Sequence, residues 1–386
     1  MRTTIPGDEL LRKTRSVGQY YGFVPLATIT AAARGTRTPG EGAPSKVTAP
    51  GADVLLLDPV AMSVSSFLNQ CRGAGFVVPG GRPLFIWHSN LAPGRPSPKR
   101  AVVQFHALGT ERALAEAVIL RALVALVRDL FHTEPSVRIN SMGDRETRAR
   151  YLRELNTFFK RRANTLPEEC VLAARTDVFA AAELTILREC AEHLPVPTEY
   201  LSDASRKRFE DLLEYLEATE TPYELARDLM SRGTHWNDTC FEISVGGKRV
   251  AWGSRYNELA RRVLGQAIPA MGAVLQIESS PGGEALPSAP PERARFVFVH
   301  IGEEAKRFSI QLAEEFRRAR LSLTQDIGIE SLTEQMRLAE GRNPPYLLIM
   351  GRKEALEGSV ILRNRQTQEE TSLSVFGLSE RLKAIA

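Results

Sequence analysis

"SRGTHWNDTCFEISVGGKRVAWGSRYNELARRVLGQAIPAMGAVLQIESS", residues 231–280, is the stretch whose reading decides the fold. Within it "THWNDTCFEISV" and "KRVAWGSRY" read as strands, "NELARRVLG" as a helix and the apolar "AMGAVLQIE" as a further strand. The next residues, "SSPGGEALPSAPPERA", have the Pro, Gly and Ser content of a linker. At 386 residues the chain also exceeds what one hydrophobic core usually organises, so two domains are expected, with the boundary in that linker.

Downstream the pattern changes. "RFVFVHIG" reads as a strand, "EEAKRFSIQLAEEFRRARL" as a helix with Phe308, Leu312 and Phe316 four apart on one face, and strands and helices alternate to the end. That alternation predicts a small α/β domain with a mostly parallel sheet. Upstream, residues 8–21 read as a helix and "FVPLATIT" as a strand, and "ARGTRTPGEGAPSKVTAPG" has the composition of a long surface loop. "DVLLLDP" reads as a strand and "VAMSVSSFLNQC" as a short helix. "RPLFIWHSN" and "RAVVQFHALGTE" make a long hairpin, and "RALAEAVILRALVALVRDLF" has helical apolar spacing. A helical region runs from about 146 to 227, with Ser202 and Asp203 as a cap ahead of "ASRKRFEDLLEYLEA".

Composition excludes several classes. Hydrophobic content of 43% with 25% charged residues fits a soluble globular protein rather than a disordered chain. Lys and Arg outnumber Asp and Glu by only 50 to 46, so nucleic acid is permitted without being demanded. Cys71, Cys170, Cys190 and Cys240 form no CxxC pair, which argues against structural zinc and a secreted disulfide scaffold; no metal site is expected. With neither a signal-peptide core nor a membrane-length apolar run, the reading is a cytoplasmic protein with no membrane segment.

Taken in order, these residues resemble the histidyl-tRNA synthetase family over nearly the whole chain. "YGF" near the start, "LDP" against the family's Leu-Arg-Pro-Glu, "QFHALGTE" in the second class II motif, and "RGTHWNDTCFE" against Arg-Gly-Leu-Asp-Tyr-Tyr carry the likeness. "GSRYNEL" and "IPAMGAVLQIE" match the closing motifs. The resemblance implies a class II catalytic-like domain over residues 1–279, an α+β fold with a central antiparallel sheet. A linker at 280–293 and an anticodon-binding-like α/β domain at 294–386 follow. It further implies a homodimer with a two-fold interface.

The family holds ATP and the amino acid with groups whose loss is readable. The second-motif arginine belongs in "LFIWHSN", where Trp87, His88 and Ser89 stand instead; Arg95 and Arg100 lie on the connection. Ser279 occupies the third-motif arginine position, Val60 and Met62 the polar positions after "LDP", Ala107 a glutamine position and Asn237 that of the second signature tyrosine. Arg232 survives as the candidate catalytic arginine, and Glu111 as a substrate-binding glutamate. His235, Trp236, Arg255 and Tyr256 complete the candidate pocket, with Ser254 replacing a motif glycine. Each has an ordinary structural alternative: an arginine opening a strand, a surface-paired glutamate, residues packing a core sheet. His106 reads as a core histidine.

In the carboxy-terminal domain the resemblance assigns Arg317, Arg318, Arg320, Arg363 and Arg365 to tRNA, although basic residues ending a helix also complement its dipole. The leading reading is a synthetase-like protein with a degraded adenylation site, serving as a binding or regulatory scaffold for tRNA or a protein partner. The alternative is a divergent active ligase charging tRNA(His) with ATP and Mg; otherwise no cofactor is expected. The ligand, the partner and the role of the 33–51 loop stay open.

Overall fold

A computed structural model describes residues 4–35, 58–75, 78, 82–91, 98–231, 233–280 and 293–385. The 33–51 loop (beyond residue 35), the "DVLLLDP" strand up to Leu57, the linker from 281 to 292, Arg95 and Arg232 lie outside the described residues. In chain order the first part comprises β1 (Ile5–Pro6), α1 (Gly7–Tyr20), β2 (Val24–Pro25), α2 (Leu26–Gly35), α3 (Pro59–Gly73), β3 (Leu84–Ser89), β4 (Arg100–Leu108), α4 (Leu114–Phe131) and β5 (Ser136–Ser141). Then come α5 (Arg145–Arg162), α6 (Glu168–Ala174), α7 (Val178–Leu187), a 3-10 turn (Pro197–Tyr200), α8 (Asp203–Ala218), β6 (Glu224–Leu225), β7 (Asn237–Val245), β8 (Lys248–Arg255), α9 (Asn257–Leu264) and β9 (Ala270–Ser280).

The strands of this part join in one sheet, ordered β2-β3-β4-β9-β8-β7-β5-β6, with β1 pairing β9. Its centre is antiparallel throughout: β3 with β4, β4 with β9, β9 with β8, β8 with β7. The two faces bury separate cores. α1, α4 and α8 cover the back with Leu10, Val17, Phe105, Leu123, Phe209 and Phe241. α3 and α9, with α5 to α7 beside them, cover the front with Phe67, Ile86, Trp236, Trp252 and Tyr256. α4 is buried on every side along most of its length, as its almost unbroken apolar sequence requires.

"FVPLATIT" departs from the strand expected there. Only Val24 and Pro25 pair, with Ile86 and Trp87, and Leu26 opens a helix. Pro25 has no N–H to extend the ladder, and the Ala-rich continuation favours a helix over the alternation that Ile29 and Thr30 suggest. Ser202 caps α8 as expected, accepting from the Ser205 amide.

The carboxy-terminal part comprises β10 (Phe296–His300), α10 (Glu303–Ala319), β11 (Leu323–Gln325), α11 (Leu332–Arg342), β12 (Tyr346–Met350), α12 (Arg352–Glu357), β13 (Ser359–Asn364), β14 (Glu370–Ser374) and α13 (Leu378–Lys383). Its sheet, β11-β10-β12-β13-β14, is parallel across the first three strands and closes in an antiparallel hairpin. Four strands thus point one way and β13 the other.

α10 joins the two parts because it has two apolar faces. Leu312 and Phe316 fill the small sheet's core, while Ile310 and Ala313 enter the core behind the large sheet. Gly22 (φ 77°) lets the Gln325 carbonyl approach so closely that a Cβ there would lie 2.8 Å from it. Glu314, nearly buried, gathers Tyr21, Arg128, Arg317 and Arg318, and Arg317 also reaches Asp129.

Burial opposes ionisation of Glu314, but Arg317 and Arg318 outweigh it and hold the carboxyl at about 2, against an ordinary 4.5. A folded pKa below the unfolded one means that the stabilisation is complete above about pH 4.5 and drains away as the pH falls towards 2. Glu314→Gln is therefore expected to cost on the order of 3 kcal/mol at pH 7, with the gap to wild type narrowing steadily below pH 4.5 in denaturant melts. A gap that stays constant across that range would show that Glu314 does not carry it.

Candidate functional site

The front of the large sheet is the natural floor for a ligand, and its centre is His106. Strand alternation points His106 forward and its neighbours Phe105 and Ala107 into the back core. The ring is fully buried, stacked on Phe67 of α3 at 3.7 Å between centroids and 9° between planes. Nδ1 lies 2.8 Å from Tyr256 Oη and Nε2 3.1 Å from Gln104 Oε1. Burial pushes the imidazole well below its ordinary pKa and the Tyr256 phenol well above its own. The neutral ring therefore accepts from Tyr256 and donates from Nε2 to Gln104. Gly272 makes room for the stack, since a Cβ there would collide with the ring. The floor is a closed core.

One residue along from Tyr256, Arg255 points the opposite way. It is fully buried, bonds both Glu116 oxygens at 2.5 and 2.8 Å and donates to the carbonyls of Thr110 and Arg112 at 3.0 Å each. That loop carries Glu111 outward, leaving its carboxylate largely exposed and 4.0 Å from Arg208.

Beside the floor, where α5, α8, α9 and the start of β7 meet, lies a cleft of about 770 Å³. Glu111, Asp144, Arg145, Arg148, Ser205, Arg208, Trp236, Asn237, Asp238 and Arg261 are among its lining. Asp238 is buried at φ 54°, a conformation uncommon for a residue with a side chain, and accepts from Ser205 (2.6 Å), Asn237 (2.7 Å) and Arg208 (2.8 Å). Asp144 caps α5 and accepts from Ser202 at 2.6 Å. Asp144 and Asp238 are thus held by neighbours, and the cleft's wall is a mixed-charge surface, not a uniformly positive one.

The signature segment is tied down by a residue that sequence reasoning treats as a mere departure. Asp58 caps α3 through the Val60 and Ala61 amides, accepts from Trp236 Nε1 at 2.9 Å and lies 3.4 Å from His235 Nε2. Burial resists its ionisation, but the hydrogen bonds from His235, Trp236 and Ala61 prevail and keep its carboxyl below the usual range. Asp-Pro at a helix start is the available signal, an N-cap followed by proline at the first helical position. His235 and Trp236 are both buried, and Trp236 packs edge-on against Trp252 at 4.7 Å.

The structure therefore brings Glu111, Trp236 and Asn237 together in the cleft, while His235 backs Trp236 and Arg255 and Tyr256 are core residues. Ser279 is buried, paired with Ile5 across β1. Val60 is half-buried and Met62 exposed on α3. Among the carboxy-terminal arginines, Arg317 and Arg318 bond Glu314 at the seam, Arg363 pairs with Glu370 and Arg365 donates to Asn343. Arg320 sits exposed at the left-handed cap of α10.

A profile of the anticodon-binding domain matches residues 295–385. The histidine–tRNA ligase of Caldanaerobacter subterraneus is 27% identical over 286 residues, covering 71% of this chain and 68% of that protein. The enzyme of the same name from Thermosipho melanesiensis is 26% identical over 283 residues, covering 70% and 67%. Among solved structures, apo S. aureus histidyl-tRNA synthetase aligns at 19% identity with a TM-score of 0.42, covering 83% of this chain and 81% of that one. A Bacillus halodurans ATP phosphoribosyltransferase regulatory subunit/histidyl-tRNA synthetase aligns at 14% and 0.34, covering 70% and 74%. No described helix is long and apolar enough to cross a membrane. The chain is thus similar to histidine–tRNA ligases over about 70% of its length, and its residues 295–385 match the anticodon-binding domain, which supports a divergent member of the histidyl-tRNA synthetase family.

Proposed function

We propose that this chain is a histidyl-tRNA synthetase-like protein that does not form aminoacyl adenylate and serves as a binding or regulatory scaffold for tRNA or a protein partner. The observation that carries the reading is the filled floor. Phe67, Tyr256 and Gln104 close on His106, and none of the three offers a positive charge to a phosphate. The third-motif arginine position is Ser279, buried where β9 pairs with β1. Taking away one preorganised group that stabilises a developing charge costs about 3 to 4 kcal/mol, or two to three decades in rate, so the absence of two removes useful turnover.

A divergent active ligase, working as a homodimer with ATP and Mg, is the second reading, favoured by the exposed Glu111 carboxylate in the cleft. Pyrophosphate exchange with ATP, run with each common amino acid, separates the two. Background exchange throughout is the expected result; robust exchange with histidine overturns the proposal. For tRNA as the partner, retention on a native gel at low salt that weakens as salt is added is expected, through the exposed Arg320 and its neighbours.

Loss of chemistry has not loosened the signature segment. Where the family has arginine in Leu-Arg-Pro-Glu this chain has Asp58, and where the signature has aspartate it has His235, and here the two side chains lie 3.4 Å apart. A scaffold that keeps such a tie keeps the shape of its cleft. Asp58→Ala removes a helix cap and leaves the buried Trp236 N–H unpaired, an expected loss of about 2 to 3 kcal/mol in stability with a red-shifted tryptophan emission. Unchanged emission and stability would mean that the tie does not hold the segment.

A further inference from the structure

The buried helix α4 carries charged side chains at Glu116, Arg121, Arg128 and Asp129. Three of them are in ion pairs: Glu116 with Arg255, Arg128 with Glu134 and Glu314, and Asp129 with Arg317. Arg121 forms no ion pair among the described residues. Only 7% exposed, it donates from Nη1 to Thr221 Oγ1 at 3.0 Å, and its Nε has no hydrogen-bond partner there. A guanidinium is a permanent charge, and burying one without an anion is costly. The carboxy-terminal end of α8, at Thr219 beside Thr221, offers it only the roughly half charge of a helix terminus. Arg255, also buried, takes both oxygens of Glu116 and two carbonyls besides.

The Arg121 side chain lines a cavity of about 560 Å³ between the two parts of the molecule, walled by α4, the turn after α8, α10 and α13. Most carboxylates of that wall are committed elsewhere. Glu314 is bonded to Tyr21, Arg317 and Arg318, Glu380 to Lys383, and Glu315 accepts from the Ser379 amide. Glu220 remains, but it is exposed, where water and salt screen its charge. The buried charge left without an opposite is that of Arg121.

We propose that this cavity is a binding site for a small organic acid, whose carboxylate pairs with Arg121. Its volume lies in the range of small-molecule sites, about 300 to 1,000 Å³. A single carboxylate suits it better than a doubly charged phosphate, which would sit against Glu220 and Glu315. Arg121 belongs to the first part of the chain and Glu315 and Ser379 to the carboxy-terminal part, so an acid seated here touches both and stabilises their union. No residue of this wall lines the cleft beside Glu111, and binding here does not depend on whether the protein forms adenylate.

The test is thermal melting of the full chain at constant ionic strength, in sodium propionate, sodium phosphate or sodium chloride. Propionate at about ten times its apparent dissociation constant is expected to raise the midpoint by about 2 °C over chloride, and phosphate to match chloride. Arg121→Met keeps the side chain's length without its charge, and is expected to melt no lower than wild type in chloride and to lose the propionate shift. Wild-type crystals soaked in 3-bromopropionate give a readout that needs no variant, with anomalous bromine signal expected beside Arg121. Absence of a propionate shift, the same shift in Arg121→Met, a larger shift with phosphate, or bromine only at other places overturns the proposal. So does an Arg121→Met protein that melts well below wild type in chloride, because the fold itself then satisfies the charge.

Discussion

A single guanidinium, that of Arg255, organises the middle of the molecule. It has no access to solvent and neither does its partner Glu116, so the pair survives burial because every guanidinium nitrogen has a partner: two bonds go to the carboxylate and one each to the Thr110 and Arg112 carbonyls. Removing one member of such a pair strands the other charge, at a typical cost of about 3 to 5 kcal/mol. The bonds tie three elements into one unit: strand β8, helix α4 and the loop after β4.

From that loop the structure runs in two directions. Glu111 points into the cleft, and Arg112 points at the carboxy-terminal part, pairing with Glu303 and Glu330. Lys306, wholly buried, also takes Glu330, and Arg307 reaches Glu214 of α8. The seam is therefore polar as well as apolar, and much of the basic charge of α10 is consumed in it. Arg317 and Arg318, which the sequence offers as phosphate contacts, bond Glu314 instead, and Arg317 is almost covered. Of the other three arginines offered for phosphate, Arg320 is exposed, and Arg363 in β13 and Arg365 just after it are each already bonded to a neighbour.

How much of this is legible in the sequence follows from where the information lies. The β3–β4 hairpin, the β7–β8–α9–β9 order and the α8 cap are local patterns, and periodicity with turn chemistry exposes them. α2 escapes such a reading because Ile29 and Thr30 imitate strand alternation while Pro25 and the alanines decide the outcome. β5 and β14 escape it too, the first lying between the apolar α4 helix and the helical region from 146, where no element is assigned, and the second almost wholly polar and exposed. Within the site, resemblance identifies Glu111, Trp236 and Asn237, but the cleft's Asp144, Asp238 and Arg208 come from three separate segments. Asp58 is visible as a substitution, yet its meaning needs the fold to place His235 and Trp236 beside it. A contact between residues 177 positions apart leaves no periodic trace.

The division between closed floor and open cleft then has a mechanical reading. α3 reaches over the sheet and puts Phe67 on His106, and its first turn is fastened by Asp58 to the segment that forms the cleft's Trp236 wall. On the other side, Glu111 and Arg112 are adjacent residues on a loop whose carbonyls Arg255 holds from below. Any movement of α10 that draws Arg112 with Glu303 must either break those buried bonds or carry Glu111 along. Glu111 on the cleft and Arg112 at the carboxy-terminal part thus sit on one loop held by Arg255.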